Sequence, residues 1–338
     1  MIHWVILAGG KGERFWPLSG SDCPKPFWKW GKGPSFFQLA LERTDSLSKM
    51  KWKEGKTLTW VVTERRYKPW IHAQAPHTPQ QQILLEPVGR NTAAAIGWAA
   101  KTIIQKDPHA IMVCFPSDHW IYPIRSLAKT IRVAINEIDG KEALGLLGIR
   151  PTFPATGLGY IQLDSKLTPF RGACVVKFHE KPSLEQAKLW IRTGKYLWNS
   201  GIFVWRAKQI LKELDRWVPD LTEHLTKRDY QKIHPISIDC SVLEKTNALF
   251  CVESPIEWND LGTWENVWNF LPKDEHGNVL IEGNWVGCET QNSLIYSTIQ
   301  LPVKTLGISN LIIVQTDRGV LICHRDKAQA VRQLLNCD

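Results

Sequence analysis

Apolar and polar positions along the chain alternate between two textures. Short runs dense in apolar and β-branched residues, "HWVILAG", "TLTWVVT", "AIMVCFPSD" and "EALGLLGI", read as strands. Between them lie stretches with helical spacing. In "NTAAAIGWAAKTIIQK" Ile96, Ala99, Ala100, Ile103 and Ile104 share one face, and Asn91 or Thr92 can cap the start. Strand alternating with helix predicts an α/β layered domain whose sheet is mostly parallel, and such sheets bind ligands outside the carboxyl ends of their strands.

From about residue 278 the pattern changes. "NVLIEGNWVGCETQNSLIYS", "LPVKTLGISNLIIVQT" and "GVLICHRD" are short strand candidates broken by Gly, Asn and Asp, followed by a helical ending from "KAQAVRQLL". The polar, turn-forming "FLPKDEHGN" marks the boundary. The division expected is a domain over 1–272 and a small β-rich domain over 273–338.

Composition adds limits. The 338 residues leave room for about two domains, and 43% hydrophobic content is ordinary for a globular chain. A formal charge of +9 would suit nucleic acid, anionic membrane or small acidic substrates, but the basic residues are scattered and no nucleic-acid motif occurs. The eight cysteines, at 23, 114, 174, 240, 251, 288, 323 and 337, form no C-x-x-C pair and no cluster with His, so reduced thiols are expected. The N-terminal apolar run stops at Gly9 with no basic residue before it, too short for a signal peptide, and no segment approaches a membrane span. A cytoplasmic protein is predicted, with neither nucleic acid nor membrane as partner.

The first strand runs into "GGKGERFWPLSGSDCPKPF". Glycines after a strand let backbone N–H groups approach phosphate oxygens directly. The P-loop pattern is missing, and the dinucleotide fingerprint fails because Phe15 stands where its third glycine belongs. Taken alone, Gly9, Gly10 and Gly12 also suit a simple turn and Arg14 a solvated charge. Trp16-Pro17 and Pro24-Lys25 sharpen the signal by offering rigid anchors for two cations.

At this point the sequence resembles the mannose-1-phosphate guanylyltransferases, a family of sugar-nucleotide nucleotidyltransferases. The resemblance covers nearly the whole chain and rests on motifs in family order: "LAGGKGERFWPLS", "PKPF", "EPVGRNTAAAI", "FPSDH", "GLGYIQ", "FHEKPS", "WNSGIFVW", "SIDCSVLEK" and "WNDLGTWENVW". The chain departs from the family at Ala94, usually Pro, at Leu158, often Tyr, and at Cys240-Ser241, commonly Tyr-Ala. None of these removes a charged group. The resemblance implies a Rossmann-like, GT-A-like catalytic domain with a left-handed β-helix-like C-terminal domain, and a homodimer. It also implies a single activity, since the chain ends without the further domain that gives longer relatives an isomerase.

The implied reaction is attack of a mannose 1-phosphate oxygen on the α-phosphorus of GTP, releasing pyrophosphate and forming GDP-mannose. Two anions must meet, and a phosphate needs no general base, so alignment and charge neutralisation carry the catalysis. By the family motifs, Arg14 and Lys25 serve the triphosphate. Asp118, directly after an apolar strand, and Asp260 are the Mg²⁺ ligands the resemblance implies; each could separately be a turn or helix cap. His119 is assigned a structural role. Lys181 matches the lysine that approaches the sugar phosphate. Glu180 and Asn199 offer acceptors and a donor to sugar hydroxyls, and Gly159 and Gly201 allow close backbone approach. The plain alternative for Glu180 and Lys181 is a surface ion pair. Glu86, Arg90 and Asn91 are candidates for reading guanine, with the edge each touches left open. Leu7, Ala8, Gly9, Gly10, Gly12 and Ser117 complete the nucleotide site by family position. The seventeen tryptophans are read as core or half-buried surface rather than sugar platforms. Alternatives kept open are the same chemistry on another sugar phosphate (heptose or glucose) or another base, a catalytically silent nucleotide-sugar-binding regulator, and nucleic-acid binding.

Overall fold

The most apolar runs, Ile2–Leu7, Ile111–Pro116, Leu144–Ile149 and Leu249–Glu253, fold as strands buried nearly throughout. In chain order the strands are β1 (Ile2–Leu7), β2 (Thr57–Glu64), β3 (Ile83–Glu86) and β4 (Ile111–Pro116), then the short β5 (Trp120–Tyr122). Next come β6 (Leu144–Ile149), β7 (Tyr160–Leu163), β8 (Gly172–His179), β9 (Tyr196–Arg206) and β10 (Leu249–Glu253), then the short β11 (Glu257–Asn259). The remaining strands are β12 (Val279–Leu280), β13 (Trp285–Cys288), β14 (Leu294–Ser297), β15 (Val303–Leu306), β16 (Leu311–Thr316) and β17 (Gly319–His324). The α-helices are α1 (Phe36–Ser48), α2 (Lys68–Gln74), α3 (Asn91–Ile104), α4 (Ile124–Ile138), α5 (Leu184–Thr193), α6 (Ala207–Trp217), α7 (Pro219–Thr226) and α8 (Trp264–Phe270). This computed structural model describes residues 1–20, 24–29 and 33–336, so Cys23 and Cys337 lie outside the described residues. The other six cysteines are free thiols.

Two compact units interleave along the chain. The first comprises Met1–Gly9, Ala40–Ser117 and Ile121–Trp258, and the second Gly10–Leu39, Asp118–Trp120 and Asn259–Asp338.

The first unit is built on a nine-stranded sheet in the order β3-β2-β1-β4-β9-β6-β10-β8-β7. Parallel pairing holds from β3 through β2 and β1 to β4 and again between β6 and β10. β9 runs against β4, β6 and β7, and β8 runs against β10 and β7. As expected, most of the strands run the same way: only β8 and β9 are reversed, but each lies among strands of the other direction, so the sheet is mixed. Their long segments carry apolar alternation that suits either direction, so hydrophobic pattern alone does not reveal the reversal.

Side chains alternate between two helical layers, as strand geometry requires. Along β4, Met112 and Cys114 join the cluster that holds Ile96 and Ile103 of α3 with Ile210 and Leu214 of α6. Ile111, Val113 and Phe115 join the opposite cluster with Leu127, Ile131 and Ile138 of α4. No helix among the described residues is long and apolar enough to cross a membrane.

In the second unit β12, β14 and β16 stack in parallel, β13 pairs in parallel with β15, and β17 returns antiparallel on β16. Alternate strands of one winding chain thus form two parallel ladders, as in a β-helix. Leu294, Tyr296, Ile312 and Val314 fill its interior beside Phe15, Trp28 and Trp264. Trp264 meets Phe15 edge-on at 5.0 Å between ring centroids and Trp28 at 5.5 Å. This aromatic packing explains why the loop after the first strand belongs to the unit that holds the β-helix coils.

Candidate active site

The second unit holds Gly10, Gly12, Arg14, Lys25, Asp118 and Asp260 of the expected site, and the first unit holds all the others. Lys25 organises the former. It opens a short 3-10 turn after Pro24 and is almost wholly buried. Its Nζ donates to Asp118 Oδ2 at 2.7 Å and to the Asp260 carbonyl at 3.0 Å. The rings of Phe15 and Phe36 lie 5.4 and 5.7 Å from the same ammonium. Gly12 makes this possible. Its φ of 66° is left-handed, and a Cβ there would stand 2.7 Å from Lys25 Cβ, so only glycine lets the loop pass so close.

Burial pushes the Asp118 carboxyl up, but the charges of Lys25 and His119 and the bond from Lys25 outweigh it and hold the group below its ordinary range. Asp118 is thus a carboxylate at neutral pH. Asp260 Oδ1 accepts from the Gly262 amide at 3.1 Å and from Asn266 Nδ2 at 2.7 Å, which fixes its orientation. The helix-cap role that Asp260 could have filled falls to Thr263, whose side chain accepts from the Asn266 amide at the start of α8.

Arg14 is half-buried and makes no hydrogen bond or ion pair with the described residues. Burial, reinforced by Arg332, lowers its guanidinium, while Asp260 and Glu13 oppose the shift. It stays charged, with all five donors available.

Among the described residues no three His, Cys, Asp or Glu side chains cluster as a metal cage. A magnesium ion does not require one, since it keeps several waters and takes one or two carboxylates plus phosphate oxygens. The Asp118 carboxylate and the Asp260 backbone carbonyl meet at one buried ammonium.

In the first unit, strand pairing engages the backbone of the approach to the loop. The Ala8 amide donates to Val62 O at 2.8 Å, Ala8 O accepts from Thr63 Oγ1 at 2.6 Å, and Leu7 O accepts from the Ser117 amide at 3.2 Å. The Ser117 hydroxyl is buried without a partner. A Cβ added to Gly9 would meet nothing within 4 Å.

Glu86 is buried at the end of β3 and accepts from the Tyr230 hydroxyl. Burial pushes its carboxyl up to about 7, with Glu64 adding to the rise. Arg90 donates Nη2 to the Gln231 carbonyl while its buried Nε has no partner. Asn91, at φ 68°, accepts the Thr92 amide on Oδ1 at 2.8 Å, whereas Thr92 Oγ1 accepts from the Ile238 amide at 2.8 Å. The cap position of α3 is Arg90, without a side-chain cap bond, so neither Asn91 nor Thr92 caps the helix as expected, although Asn91 Oδ1 satisfies the Thr92 amide of the first turn.

A second cluster joins Gly159, Glu180, Lys181, Asn199 and Gly201. The Asn199 amide donates to Gly159 O at 2.8 Å, and Asn199 Oδ1 accepts from the Gly201 amide at 3.1 Å. A Cβ on Gly159 would lie 2.8 Å from Glu180 Oε2. Lys181 pairs with Glu180 and leaves about half of its side chain exposed. Asp239 belongs here too, though sequence reasoning assigned it no role: its Oδ1 accepts from Asn199 Nδ2 at 2.9 Å. Burial and the neighbouring Glu180 push its carboxyl up to about 7. The signal that could have found it is "SIDCSVL", a charged residue inside an otherwise apolar and small run.

Residues 3–277 match the family described as Nucleotidyl transferase, and residues 283–336 match the MannoseP isomerase/GMP-like beta-helix domain. The chain is 34% identical to the mannose-1-phosphate guanylyltransferase of Escherichia coli, over 98% of this chain and 74% of that protein. It is 32% identical to the alginate biosynthesis protein AlgA of Pseudomonas fluorescens, over 98% of this chain and 71% of that one. Among solved structures it resembles a mannose-1-phosphate geranyltransferase from Thermus thermophilus, with a TM-score of 0.85 and 29% identity, covering 99% of this chain and 98% of the other.

Proposed function

Because the chain belongs to the nucleotidyl transferase family, among the mannose-1-phosphate guanylyltransferases, we propose that it transfers GMP from GTP to α-D-mannose 1-phosphate. A phosphate oxygen of the sugar attacks the α-phosphorus, the bond from that phosphorus to the bridging oxygen of the β-phosphate breaks, and pyrophosphate leaves with the electron pair. GDP-mannose is the product.

In this reading Arg14 grips the triphosphate and Lys25 neutralises charge developing on the leaving group. The backbone from Leu7 to Gly12, with Ser117, cradles the nucleotide, and Glu86, Arg90 and Asn91 read guanine. Asp118 and Asp260 would hold Mg²⁺, which when bound polarises the α-phosphate. Lys181 meets the sugar phosphate, while Glu180, Asn199 and the backbone at Gly159 and Gly201 meet sugar hydroxyls. Asp239 positions Asn199 by fixing its amide donor, which turns Asn199 Oδ1 toward the Gly201 amide. Residues 1–272 are the catalytic domain and 273–338 the small β-rich domain of this cytoplasmic enzyme, with the two substrates as its partners and a homodimer as its assembly.

The observation that carries the reading is the buried Lys25 ammonium shared by Asp118 and Asp260 beside the unpaired Arg14. Such a concentration of charge suits phosphoryl chemistry. The test is pyrophosphate release in Mg²⁺ with GTP, ATP, UTP, CTP and dTTP crossed against mannose, glucose and N-acetylglucosamine 1-phosphates, with products identified by mass. Release confined to GTP with mannose 1-phosphate is expected. Release with a different pair would transfer the chain to that specificity, and no release from folded protein would leave a silent nucleotide-sugar-binding homologue.

A further inference from the structure

The first unit contains a cavity of about 410 Å³ whose lining includes Pro87, next to Glu86, and Tyr230, the hydroxyl donor to Glu86. Its wall carries three permanent cations, Arg65, Lys101 and Arg228, together with His224 and the rings of Trp98 and Tyr230. Among the described residues no carboxylate lines it. The acidic residues beside these cations in sequence are engaged elsewhere: Glu64 with Arg66 at 2.9 Å, Glu223 with Lys227, and Asp229 with Lys232 at 2.7 Å. Three like charges around one cavity repel each other, so the fold gains nothing from collecting them there.

Two further observations point to an occupant. His224 Nδ1 is buried with no hydrogen-bond partner, a costly state that an oxygen acceptor or donor in the cavity would relieve. Burial also lowers the Lys101 ammonium, whose Nζ donates to Thr226 Oγ1 at 2.6 Å. Trp98 and Tyr230, with ring centroids 5.2 Å apart and planes tilted by 52°, form an angled aromatic wall beside the cations. Aromatic rings next to arginine and lysine bind a base by stacking and its phosphates by charge. A cavity of this size lies within the range that takes a small ligand.

We propose that this cavity is a second nucleotide site, taking a nucleoside diphosphate with its base against Trp98 and Tyr230 and its phosphates against Arg65, Lys101 and Arg228. None of the residues assigned to the proposed reaction lines this cavity, which Tyr230 joins to Glu86.

The experiment is calorimetric titration of ADP, and in parallel of inorganic pyrophosphate, into the full chain and three variants: Arg14→Ala, Lys101→Ala with Arg228→Ala, and Arg65→Ala. Circular dichroism confirms that each is folded. Saturable ADP binding is expected in the parent and in Arg14→Ala. The double variant should lose it by about tenfold or more, the removal of two charge-assisted contacts. Arg65→Ala should weaken it by a smaller factor, and it keeps the test open if the double variant does not fold. Pyrophosphate should bind more weakly than ADP. The proposal is overturned if ADP does not bind, if Arg14→Ala abolishes binding while the cavity variants retain it, or if pyrophosphate binds Arg14→Ala as tightly as ADP does.

Discussion

Asp118 in the second unit and Asp239 in the first are the same residue under opposite conditions. Burial works against the charge of both. Asp118 faces the Lys25 ammonium at 2.7 Å and is held ionised, whereas Asp239 faces an amide and the like charge of Glu180 and is pushed up to about 7. Glu86, whose partner is a tyrosine hydroxyl, behaves as Asp239 does. Neighbours therefore decide what each carboxyl can do: the second unit keeps a carboxylate fit for cations and phosphate chemistry, and the first keeps carboxyls that hydrogen-bond neutral groups.

The sharpest way to break this comparison is Asp118→Asn. It removes the charge and keeps the shape, so turnover should fall by about 10²–10³-fold or more, with an unchanged circular dichroism spectrum. Pyrophosphate release at near-parent rates would remove Asp118 from the reaction.

A smaller effect separates the carboxyls of the first unit. Glu86 and Asp239 have folded values near 7, above their ordinary values of 4.5 and 3.8. Across that window these two groups hold more protons in the folded protein than in the unfolded chain, so the stability they contribute should fall as pH rises from about 4 toward 7. Glu86→Gln, which can still accept from Tyr230, should flatten that decline in thermal melts. An identical decline in parent and variant would mean that Glu86 is ionised throughout.

The smallest expected change lies in the same unit. Ser183 caps α5 in a reciprocal capping box with Gln186. Ser183→Ala should cost about 1 kcal/mol in chemical denaturation, with turnover unchanged. A drop in turnover without loss of stability would instead make Ser183 a positioning residue for the neighbouring Lys181.

Much of the fold was legible because its signals are local. Apolar runs marked β1, β2, β4 and β6, the helical face of α3 followed from Ile96, Ala99, Ala100 and Ile103, and the turn-rich texture after residue 278 announced the coils that end the chain. The reversal of β8 and β9 was not legible, since a strand's hydrophobic pattern is nearly the same in either direction. Nor was the membership of the glycine loop in the second unit, which follows from Phe15 and Trp28 packing on Trp264.

The candidate site divides in the same way. The sequence by itself determined the residue types: glycines that clear a path for phosphate, two cations anchored by prolines, and aspartates after apolar or turn segments. Only the tertiary structure decided that residues 25, 118 and 260 meet at one ammonium, that Tyr230 finds Glu86 across 144 positions, and that Asp239 is buried against Asn199. The reason is physical. Conformational preference acts over a few neighbouring residues, but the charge state of a carboxyl depends on burial and on which groups the folded chain brings within a few ångströms.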